Sequence, residues 1–117
     1  MTKSLFVFLL SAVIIFPVLV HAQDKTFSGE IMDSQCAALG DHSVMMGSSG
    51  IKTAKACTLA CVKAGGTFVL YDAGAKTIYQ LDDQKKPEPF AGEKVTVSGT
   101  YDASTHTIHV ENIEAAK

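Results

Sequence analysis

The second half of the chain alternates between apolar and polar positions. Glu93 to Tyr101 places Val95 and Val97 on one side and Lys94, Thr96 and Ser98 on the other, the period-two pattern of a half-buried strand. His106 to Ile113 repeats it, with Ile108, Val110 and Asn112 on one face. Thr67 to Tyr71 and Lys76 to Leu81 are β-branched and aromatic runs. The link between them, Asp72-Ala73-Gly74-Ala75, is compact enough for a hairpin. Earlier in the chain, Thr26 to Asp33 reads as one more strand, with Phe27 and Ile31 apolar against Ser28 and Glu30. Pro87 and Pro89 exclude the 82–92 stretch from any central strand and leave a loop with at most one helical turn.

One stretch moves to helical spacing. Cys57, Ala60, Cys61 and Ala64 recur every three or four residues and would share one face of a helix over Ala54 to Ala64. Thr53 is placed to cap its start, and Gly65-Gly66 to stop it. Gly40 to Gly50 has loop composition, rich in Gly, Ser, Asp, His and Met. Gly29 and Gly99 each follow a serine inside a long strand, where an unhindered backbone lets the strand bend enough to serve two sides of a closed sheet. The expected fold is mainly β: a small five-stranded OB-like barrel with one helix inserted between strands 1 and 2. A plain twisted antiparallel sheet covered by one helix is the alternative.

The start of the chain changes the picture. Lys3 precedes an uncharged run from Leu5 to Val20, shorter than the roughly 20 residues a spanning helix needs. Small residues follow at Val20-His21-Ala22. This is the pattern of a secretory signal peptide over residues 1–22, with cleavage before Gln23 and a single domain over 23–117. An uncleaved membrane anchor is the competing reading. The expected location is periplasmic or secreted, with no membrane attachment after cleavage. The net charge of −2 and the absence of arginine argue against nucleic-acid binding, which relies on cationic fields and arginine forks.

All three cysteines, Cys36, Cys57 and Cys61, fall between Asp33 and Gly66. Exported small domains use cysteine to staple a modest core. A bridge from Cys36 to either helical cysteine would close a loop of about twenty residues, contributing roughly 3 kcal/mol. Three is odd, so one thiol would remain. The same residues also form a candidate metal set: Cys36, Cys57 and Cys61 as thiolates with the His42 imidazole. Zinc accepts such a combination, and monovalent copper is drawn to thiolate and to the thioethers of Met45 and Met46. Redox exchange is a third possibility, without the Cys-x-x-Cys spacing that usually carries it. Asp33 could orient a ligand or simply form a turn. Asp82-Asp83 reads as a solvated loop, and His106 and His109 would point to opposite faces of a strand. No serine triad, phosphate-cradling glycine loop or spaced carboxylate pair occurs, so binding or structural roles stand ahead of catalysis.

The run Gly29-Glu30-Ile31-Met32-Asp33-Ser34-Gln35-Cys36-Ala37, then His42, then Cys57-Thr58-Leu59-Ala60-Cys61-Val62-Lys63-Ala64-Gly65, resembles a family of small exported bacterial proteins. Phe68 to Asp72, Ala91 to Val95 and Gly99 to Tyr101 extend the likeness over nearly all of residues 23–117. That family is a domain of unknown function, the DUF5818-like group. The resemblance implies export, one small β-rich domain and an important cysteine segment. It implies no activity.

Overall fold

The computed structural model describes residues 13–17 and 24–117. The expected signal peptide over 1–22 and the expected cut before Gln23 lie outside the described residues, apart from 13–17, which have no regular secondary structure. Five strands form one mixed sheet: β1 (Lys25–Asp33), β2 (Phe68–Asp72), β3 (Thr77–Leu81), β4 (Lys94–Asp102) and β5 (Thr107–Ala115). Their hydrogen bonds run β1-β2-β3-β5-β4 and return to β1 in a ring. Four of the pairings are antiparallel. The β3–β5 seam is parallel and short, pairing Gln80 with Thr107 and Leu81 with Ile108.

Ile31, Leu70, Val95, Val97 and Ile108 have no exposed surface and form the heart of the main core. Each such side chain contributes about 1.5–3 kcal/mol by leaving water. Next to Ile31 and Leu70, the neighbours Met32 and Val69 are also buried but face a second, smaller core. β1 and β2 are thus covered on both faces here, which explains their unbroken apolar stretches.

The covering layer is more helical than the sequence pattern indicates. Between β1 and β2 lie α1 (Ser34–Leu39), α2 (Ser43–Ser49) and α3 (Ala54–Lys63), not a single helix. The expected loop over 40–50 is largely α2. Its Gly and Ser residues have low helix propensity, but Asp41 accepts bonds from the Ser43 amide at 2.8 Å and hydroxyl at 2.5 Å and sets the first turn. On α3 the inward face is Cys57, Thr58 and Cys61; Ala60 and Ala64 are exposed. Thr53 caps α3 as expected, accepting from the Ala56 amide at 3.1 Å. The proline loop contains one 3-10 turn, Glu88–Phe90.

Both expected bending glycines sit where backbones touch. A Cβ on Gly29 would lie 2.4 Å from the Tyr71 carbonyl oxygen, and one on Gly99 would lie 2.0 Å from that of His109. Just before Gly99 the β4–β5 register slips: Ser98 pairs with Asn112, while Gly99 pairs with Val110. Glu111 is the extra residue of this bulge, and it reverses the alternation in β5. Ile113 is therefore buried and Asn112 exposed, opposite to the expected continuation of the face.

Asp82 is not simply solvated. Its Oδ1 accepts from the Val110 amide at 2.8 Å and its Oδ2 faces His109 Nδ1 at 3.1 Å, latching the end of β3 onto β5. The Val110 amide bond is the main reason its carboxyl is held below the ordinary aspartate range, with His109 assisting. A depressed carboxyl stabilises the fold above the unfolded aspartate pKa of about 3.9 and loses that contribution as pH falls through the lower folded value. Asp82→Ala should cost about 1–2 kcal/mol near neutrality. Urea midpoints of the two proteins should draw together as pH falls through the lowered folded value of Asp82. A constant difference across that range would remove the carboxylate from the explanation.

Candidate functional site

The site grows out of the end of β1. Asp33 has no exposed surface, and its Oδ2 accepts from the Gln35 and Cys36 amides at 3.1 and 3.0 Å, capping α1. That cap fixes Cys36, which is fully buried, against the inner face of α3. One helical turn separates Cys57 and Cys61 on α3, so both turn toward the same point. Cys36 Sγ lies 3.9 Å from Cys57 Sγ. All three cysteines are free thiols, so no staple is formed.

His42 is held before the first turn of α2 and is not on a free loop. Its Nε2 lies 2.7 Å from Glu30 Oε2, and its Nδ1 is buried without a partner. Asp33 Oδ1 and Thr58 Oγ1 are likewise buried and unpartnered. Two groups of potential ligand atoms result, each mutually within 4.8 Å: Cys36, His42 and Cys57; and Asp33, Cys36 and Cys61. The four sequence candidates are thus all in one neighbourhood, but they divide between two positions that share Cys36. Asp33, read from sequence as an orienting or turn residue, lies within 4.8 Å of the Cys36 and Cys61 sulfurs.

Burial is the main force pushing the Cys36 thiol far up, and the Asp33 carboxylate beside it adds to the shift. The Cys61 thiol is raised by the same two causes in the same order. Without a cation Cys36 and Cys61 therefore favour the neutral thiol. Three thiolates and a carboxylate so close together would need positive charge among them.

Glu30 was not legible as a site residue. It is a half-buried acid inside a strand, and the only signal was a charge at a position the pattern allowed to face water. It lines, with His42, Met32, Tyr71 and Lys94, an open cleft of about 420 Å³. The imidazole thus stands between this cleft and the thiols. Met45 and Met46 pack against the small core. His106 lies in the turn before β5 with φ 52° and meets the Tyr101 hydroxyl, while His109 faces Asp82; neither joins the cluster.

Fold and site together define a small mainly β domain with a buried thiol, imidazole and carboxylate cluster beneath a helical cover. Residues 62–116 match a family model described as Protein of unknown function (DUF5818). The match takes in β2 to β5 and begins one residue past Cys61, so every candidate ligand precedes it. No curated protein and no solved structure matches the chain.

Proposed function

We propose that this is an exported, periplasmic or secreted, metal-binding protein whose primary cation, zinc or monovalent copper, is held by Cys36, Cys57 and His42. The observation that carries the reading is the Glu30–His42 bond. A carboxylate fixes one ring nitrogen at 2.7 Å and leaves the other buried and unpartnered, in a ring that comes within 4.8 Å of the Cys36 and Cys57 sulfurs. Metal-binding histidines are oriented by such outer carboxylates. The 3.9 Å sulfur separation also suits the reading. Zinc–sulfur bonds of about 2.3 Å in a tetrahedron put two sulfurs about 3.8 Å apart. We also infer that the ring is an OB-like barrel, from its strand order and the close-contact glycines in β1 and β4. In that fold the connection after the first strand is a common binding region, and here it carries the cluster.

Elemental analysis and thiol counting on protein taken from its native compartment test the reading. At least one metal per chain and no disulfide are expected. Glu30→Gln should weaken binding roughly 10–100-fold without unfolding the strands, because it acts only through His42. His42→Ala should weaken it further. The competing reading is a structural bridge, for which the 3.9 Å contact favours Cys36 and Cys57 as the pair, with Cys61 left free. Metal-free protein with one titratable thiol and an unaffected His42→Ala variant would establish the bridge instead.

A further inference from the structure

We propose that the cluster holds two cations, with the Cys36 thiolate bridging them and the second cation seated between Asp33, Cys36 and Cys61. This rests on the metal-binding reading above and extends it to a second position with its own ligands. The two ligand groups share Cys36 and nothing else. Each also includes a residue with one polar atom left buried and unpartnered among the described residues, His42 Nδ1 in one and Asp33 Oδ1 in the other.

Asp33 carries the second position. It is wholly buried, and among the described residues no basic side chain pairs with it. Its Oδ2 serves the amides of α1, which leaves Oδ1 with no hydrogen-bond partner among the described residues and the Cys36 and Cys61 thiols as its near neighbours. A buried carboxylate is held in such a setting when a cation or hydrogen-bond donors compensate it. The helix amides compensate one oxygen; a cation beside Cys36 and Cys61 would compensate the other.

Charge selects the kind of cation. Three thiolates and Asp33 bring four negative charges, and two divalent ions bring four positive ones. Two monovalent copper ions would leave two negative charges in a buried cluster. Zinc, at home with thiolate, imidazole and carboxylate together, fits both groups. The two positions also differ in access. His42 lines the cleft, so the first is open to exchange, whereas Asp33 and Cys36 close off the second.

The test is a zinc titration of the reduced full-length chain against a chromophoric chelator, without oxygen. Two zinc ions per chain are expected. Asp33→Asn should bind one, since asparagine keeps the oxygen that caps α1 but loses the charge. Cys61→Ser should also bind one, and its fold does not depend on the cap. His42→Ala should keep the Asp33 position and bind one. If the wild type binds a single zinc that Cys61→Ser weakens, the cluster is one four-ligand site; the second position is then wrong and the metal-binding reading survives. If the wild type binds no zinc, both are wrong.

Discussion

Cys36→Ser is expected to abolish metal binding at both positions. Cys36 is the one residue the two ligand groups have in common. A serine hydroxyl does not ionise near neutral pH and is a poor partner for a soft or borderline cation. The loss should exceed the roughly 10–100-fold that removal of an outer partner costs. The fold should survive, because the side chain changes little in volume; one buried hydroxyl costs about 1–3 kcal/mol. Thermal melts separate the effects. Zinc at a hundredfold excess over its dissociation constant should stabilise the wild type by about 2.7 kcal/mol and leave Cys36→Ser unmoved. Equal zinc-induced shifts in the two proteins would rule out a site at Cys36.

The largest effect on the fold is expected from Gly99→Ala. The added carbon would lie 2.0 Å from the His109 carbonyl oxygen, which belongs to the backbone of the paired strand and cannot swing aside. Relief requires β4 and β5 to part at their bulge, beside Ile108 and Val110 of the main core. Such overpacking costs about 3 kcal/mol, at the upper end for one added group. For a domain of this size that lowers the melting temperature by roughly 12–24 °C. A drop within a few degrees would mean that the strands do not approach as closely as described.

The five strands were legible because their signals are local. Alternation through Val95 and Val97 and the β-branched run at Phe68 to Tyr71 place the strands to within a residue or two. The prolines at 87 and 89 were correctly read as a loop with one turn. The bulge at Glu111 was hidden, since an inserted residue changes the inward face without changing composition. α1 and α2 were hidden for a different reason. Their stability comes from Asp33, Asp41 and the small core beneath them, not from the propensities of Gly, Ser and Met. The thiols and His42 stood out by residue type, and folding gathers them. Their division around Cys36 and the part played by Glu30 depend on side-chain placement, which spacing along the chain does not encode.

The short parallel seam has a consequence for how the protein behaves in company. Only two residue pairs join β3 to β5, so beyond Ile108 the outer backbone of β5 has no strand beside it among the described residues. An unpaired edge of this kind is a template on which another chain can add a strand. Here polar side chains occupy it. Asp82 takes the Val110 amide, and Lys86 Nζ donates to the Val110 and Glu111 carbonyls at 3.3 and 3.2 Å. The charged loop after β3 thus occupies the groups to which an added strand would bond. Covering that edge disfavours strand addition as well as tying the loop to the fold of a single molecule.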